Sequence, residues 1–128
     1  MSYDWNNYGK FAKWLESIEI SEIDEETKIR NIISRMNYHA FHCLLNWVES
    51  KSSYKFPTNG TTHKELINHL IQTRKYDKAQ SYKKLKQYRE LCDYEDNISS
   101  LKVIYEEAKL LYNRIVGPLV QFSQKTDS

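Results

Sequence analysis

The sequence predicts an all-α protein, an antiparallel bundle of about five helices, and three observations carry that expectation. Apolar residues recur at i, i+3, i+4 and i+7 along most of the chain, the period of a helix with one buried face. Three glycines and two prolines in 128 residues leave few turns for a sheet. Leu, Lys, Glu, Ile and Tyr dominate, which favours helices joined by short links. A chain of this length is one domain, 1–128, with room for a single proper core.

Trp5, Tyr8, Phe11, Ala12, Leu15 and Ile18 keep helical spacing and predict a first helix, Trp5 to Ser17, within an N-terminal segment 1–20. Ser21 or Asp24 can cap a second helix. Asp24, Glu25 and Glu26 suit its first turn, where carboxylates meet the positive end of the dipole. Its apolar face runs through Ile29, Ile32, Ile33, Met36, Ala40, Cys43, Leu44, Trp47 and Val48 to about Glu49, uninterrupted by glycine or proline.

Lys51 to Thr61, KSSYKFPTNGT, reads as a loop, with Pro57 and Asn59-Gly60 as turn signals. Thr62 followed by Glu65 predicts a capping box opening a third helix, which carries Leu66, Ile67, Leu70 and Ile71 inward and ends near Arg74. After a short connection, Lys75 to Lys78, a fourth helix runs through Leu85, Tyr88, Leu91 and Cys92. Asp96 or Asn97 can start a fifth, with Leu101, Ile104, Tyr105, Ala108, Leu111, Tyr112 and Ile115 facing in. Gly117-Pro118 is expected to stop it, Leu119 to Phe122 to fold back as a turn, and 123–128 to fray.

Nineteen basic and 17 acidic residues give a net charge of +2, so any nucleic-acid contact must come from a local patch. Apolar runs are too short to span a membrane, and MSYDWNNYGK lacks the layout of a secretory signal. Two cysteines without a disulfide framework point to a reducing compartment, and Cys43 reads as a small core residue. The expectation is a cytoplasmic protein with no membrane partner.

The chemistry-bearing stretch is Ser34 to Trp47, SRMNYHAFHCLLNW. Arg35, His39 and His42 are spaced i, i+4, i+7, and at about 100° per residue they share a strip along one edge of the apolar face, continued by Asn46. An arginine with two histidines can grip a phosphate and move protons. Half-buried histidines bonded to backbone, beside an arginine paired with a carboxylate, produce the same pattern. His39 and Cys43 can share a metal at i, i+4, but no second ligand pair follows at finger or zincin spacing, so neither metal nor cofactor is expected.

A second candidate lies at the start of the fourth helix. Lys75, Lys78, Lys83, Lys84, Lys86 and Arg89 interleave with Tyr76, Tyr82 and Tyr88. Lys83, Lys84 and Lys86 can meet RNA phosphates, and Tyr82 can stack on a base. A solvated helix face has the same composition. Arg89 and Asp93, at i, i+4, suit an ion pair.

Three stretches together resemble one family. SRMNYHAFHCLLNWVES looks like the signature helix of HEPN domains, especially small bacterial members reading S-R-x-Y-Y-A-x-F-H-A. Gly60-Thr61-Thr62-His63 and Arg89-Glu90-Leu91-Cys92-Asp93-Tyr94 are similar to that group's G-x-T-H and R-x-x-A-D-Y stretches, in the same order over about Glu26 to Arg114. The resemblance implies a HEPN-like helical fold and, for many members, a metal-independent endoribonuclease whose motif is an arginine followed after four to six residues by a histidine. Arg35 and His42, six residues apart, match it.

It also implies an isologous homodimer with both motifs at the two-fold axis, and a role as a toxin, a phage-defence effector or a CRISPR-associated effector, with an antitoxin or defence-system protein as partner. Met36 stands where active members often carry Asn, Asp or His, and the His-x-Tyr ending of one toxin subgroup is replaced by His42-Cys43-Leu44. RNA supplies its own nucleophile, the 2′-hydroxyl. His42 can therefore serve as proton carrier, Arg35 as stabiliser of phosphorus-centred charge and His39 as a helper. The other readings are a non-catalytic HEPN module that binds RNA, a nucleotide or a protein, and a structural accessory subunit.

Overall fold

The chain forms a bundle of five helices in a computed structural model that describes residues 3–19, 22–52, 54–57 and 59–127, the side chains of 120–127 excepted. The helices are α1 (Asn6–Ser17), α2 (Glu25–Lys51), α3 (Thr62–Gln72), α4 (Tyr76–Tyr94) and α5 (Leu101–Asp127). Among the described residues there is no strand, and no helix is long and apolar enough to cross a membrane.

Helix α2 is the central element and packs against α1, α4 and α5, while α3 packs on α4. Its inward residues explain this position, since Ile33, Ala40 and Leu44 are wholly buried between the neighbours. Helices α1 and α4 each run antiparallel to α2. From α1 to α2, Trp5 meets His42, Tyr8 meets Tyr38 and Phe11 meets Arg35. From α2 to α4, Arg30 reaches Cys92 while Lys78 reaches Trp47.

The helix ends refine the expectations. Asp24 caps α2 by accepting from the Thr27 amide at 2.7 Å, which holds its carboxyl below the usual range; the alternative cap, Ser21, lies outside the described residues. Arg30 closes the far end of α4, donating to the carbonyls of Cys92, Glu95 and Asp96, where a cation meets the negative end of the dipole.

The Thr62–Glu65 capping box does not form. Thr61 is the cap residue, but its hydroxyl donates to the Asn59 side chain and does not cap the helix, and the Thr62 hydroxyl is shared between the carbonyls of Pro57 and Asn59. That ties the loop to the helix but leaves Glu65 Oε2 without a hydrogen bond. Helix α4 begins at Tyr76, because Arg74 takes a left-handed conformation (φ 63°) and turns the chain within two residues.

Helix α5 begins at Leu101 rather than at Asp96 or Asn97, with Ser100 at φ 57° and its carbonyl accepting from Ile104. Gly117-Pro118 does not stop it. The helical backbone continues to Asp127, so the expected fold-back at Leu119 is absent and 123–127 extend the helix. Ile115, Val116 and Leu119 are buried around the proline, and their packing outweighs one missing backbone donor. Phe11 and Ile71, expected inside, are exposed.

Candidate active site on the central helix

Helix α1 covers the strip that carries Arg35 and His42. Trp5, Tyr8 and Phe11 recur every third residue and form an aromatic row laid along it. The Trp5 indole stacks on the His42 imidazole, centroids 3.6 Å apart and planes within 7°. The Arg35 guanidinium lies 5.2 Å from the centre of Tyr8 and 5.6 Å from that of Phe11, a cation held by ring faces, with no carboxylate partner among the described residues. Its Nε is buried without a hydrogen bond. Both side chains keep part of their surface open.

His39 is a structural group. Its Nε2–H donates to the Asn6 side-chain carbonyl at 2.9 Å, so its Nδ1 accepts from the Tyr112 hydroxyl at 2.6 Å. With 6% of its surface exposed and both nitrogens used, it can neither help proton transfer nor share a metal with Cys43. The expected helper role is therefore corrected. Burial lowers its pKa and raises that of the Cys43 thiol to about 11. Gly9 makes this junction possible, because a Cβ there would stand 2.4 Å from His39 Nδ1. Nothing in the periodicity marks Gly9, which looks only like a weak point in a helix.

The three stretches singled out in the sequence converge in space. His63, on the first turn of α3, stacks on Phe41 with centroids 4.1 Å apart, and the His42 ring meets the same phenylalanine at 4.9 Å. His63 Nδ1 is hydrogen-bonded to the Tyr82 hydroxyl of α4. Arg89, 8% exposed, reaches Asp93 at 3.2 Å and sits over the Tyr38 ring at 5.3 Å. Desolvation, then the neighbouring histidines, holds His42 down to about 4; desolvation, then Arg89 and Lys86, does the same to His63. Both rings are neutral at pH 7. Two buried side-chain atoms without a hydrogen bond belong to the site's arginines, Arg35 Nε and Arg89 Nε. Such orphans concentrate where a surface is shaped for something other than stability.

The basic stretch of α4 divides. Tyr82 is wholly buried with its hydroxyl on His63, so it cannot stack on a base, and that expectation is corrected. Lys86 is tied to Glu90 at 2.6 Å. Lys83 and Lys84 are exposed, and Lys84 borders an open cleft of about 720 Å³ between α4 and α5 that also holds Lys78, Arg114, Asp77 and Glu107. At the end of the bundle the ammonium groups of Lys51, Lys78 and Lys75 lie 4.7, 5.1 and 6.0 Å from the centre of Trp47.

Compared with protein-family models, with curated proteins and with solved structures, the chain matches none.

Proposed function

We propose that this protein is a HEPN-type, metal-independent endoribonuclease that acts in the cytoplasm as a homodimer, with Arg35 and His42 of both copies facing one composite cleft. The observation that carries the reading is the convergence of the three HEPN-like stretches, which brings His42, His63 and Arg89 to one wall although they are far apart in sequence. A neutral imidazole at pH 7 is in the right state to take the proton of a ribose 2′-hydroxyl. Arg35, always charged and held by ring faces, keeps its donors for a phosphate. The 2′-oxygen then attacks phosphorus and leaves a 2′,3′-cyclic phosphate and a 5′-hydroxyl. Exposed Lys83 and Lys84 supply phosphate contacts along the strand. Two free cysteines fit a reducing compartment. A role as toxin or as phage-defence or CRISPR-associated effector, with a matching partner protein, rests on the resemblance alone.

One observation favours a second reading. The Trp5 indole covers a face of His42, as expected of a non-catalytic module that binds RNA, a nucleotide or a protein partner.

Purified protein incubated with mixed RNA in EDTA separates the two. Cleavage that persists in chelator, fails on RNA carrying a 2′-deoxy cut site, and disappears in Arg35→Ala and His42→Ala is the expected result. Activity surviving His42→Ala, or lost with chelator, refutes the mechanism. RNA binding by a well-folded wild type that never cuts establishes the second reading.

A further inference from the structure

We infer that His63 is the second proton-carrying group of this site, acting with His42 of the same chain on one RNA phosphodiester. The inference rests on the ribonuclease reading and places the acid on the third helix of the chain that supplies the base.

Geometry is the first support. His42 and His63 both contact the Phe41 ring, so their centroids are no farther apart than the two separations of 4.9 and 4.1 Å combined. Phe41 is 7% exposed and fixes both rings. The second support is orientation. Tyr82, itself wholly buried, holds His63 Nδ1 and leaves Nε2 as the reacting nitrogen. Its hydroxyl oxygen accepts from Nδ1–H both in the charged ring and after the Nε2 proton has left, so both protonation states are held in one pose.

The third support is charge. Lys86, Arg89 and Glu90 of α4 act on His63, and His63 and His39 act on His42. Lys86 is paired with Glu90 and Arg89 with Asp93, yet at the His63 ring the two cations outweigh Glu90, which favours a phosphodiester anion there. That anion in turn favours the imidazolium. A structural role for His63 would need only the Tyr82 bond and the Phe41 stack, and would leave the second nitrogen unused.

The reaction balances across the pair. His42 takes the 2′-hydroxyl proton as the P–O2′ bond forms, and His63 gives a proton from Nε2 to the departing 5′-oxygen as the P–O5′ bond breaks. One histidine gains the proton that the other loses.

The test uses the full chain carrying His63→Gln, which keeps an amide able to bond Tyr82. The turnover number should fall by about a hundredfold or more with KM little changed, and one limb of the bell-shaped pH profile should vanish. A second measurement on the wild type follows the imidazole NMR signals of His42 and His63 while inorganic phosphate, then a 3′-mononucleotide, is added. Both rings should shift together and titrate at higher pH. Cleavage that needs His42 but keeps its full rate and both limbs in His63→Gln overturns this inference and leaves the function standing. A phosphate titration that moves His42 alone overturns it as well. An inert wild type, or cleavage indifferent to His42, overturns both.

Discussion

Gly9→Ala is expected to destabilise the protein although it replaces the poorest helix former but proline with the best. In an open helix the change gains about 1 kcal/mol. Here the new Cβ would stand 2.4 Å from His39 Nδ1, 2.7 Å from its Cε1 and 2.8 Å from the Tyr112 hydroxyl. Carbon contacts settle at about 3.5–4.0 Å, so α1 must lift from α2, or the imidazole must turn, by about 1 Å. His39 cannot turn freely, because Asn6 and Tyr112 hold its two nitrogens and burial closes the space around it. Overpacking of this kind costs about 1–3 kcal/mol, and two strained hydrogen bonds add up to about 1 kcal/mol each. The net expectation is a loss of about 1–2 kcal/mol, read as a fall of roughly 1 M in the urea midpoint. Gly117→Ala is the control. No atom lies within 4 Å of its added Cβ, so that variant should gain about 0.5–1 kcal/mol. A midpoint for Gly9→Ala equal to or above the wild type would refute the close docking of α1 on α2, and with it the covering of His42.

Four further outcomes follow from the same contacts. His39→Ala should cost about 2–3 kcal/mol by stranding the Tyr112 hydroxyl and opening a cavity, while any RNA cleavage by the remaining folded protein stays near wild type; calorimetry beside a cleavage assay checks both. His42 and His63 are held at about 4 against an ordinary 6.5, so the unfolded chain takes up protons first. Stability should therefore hold above about pH 6.5 and fall as pH drops toward 4, with a shallower fall in the double Gln variant; equal slopes in urea titrations would contradict the shifts. Trp5→Ala should raise the His42 pKa from about 4 toward 6.5, and an unmoved NMR titration would show that the indole is not what desolvates it. Lys83→Glu with Lys84→Glu should weaken RNA binding and flatten its dependence on salt, and unchanged affinity at several salt concentrations would return these lysines to ordinary solvated surface.

Helix number, the order of elements and most of the core were legible in the chain, because a 3.6-residue period and the scarcity of glycine and proline are local properties. The Asp24 cap and the Arg89–Asp93 pair were legible for the same reason, since each spans about one turn. Where local signals met competing tertiary contacts they misled. Thr62 sits at capping-box spacing but bonds the preceding loop, and Gly117-Pro118 reads as a stop yet lies in a helix whose buried neighbours hold it. At the site, sequence placed Arg35, His39 and His42 on one helical strip and could not assign their surroundings. Packing of α1 and α5 gave His39 its two partners, Trp5 ahead of α1 gave His42 an indole, and packing of α3 and α4 hid Tyr82 and brought His63 beside Phe41. A residue type at a helical position states what a side chain can do. Whether it bonds a tyrosine, stacks under a tryptophan or faces water depends on residues distant in the chain, and only the folded arrangement brings them to it.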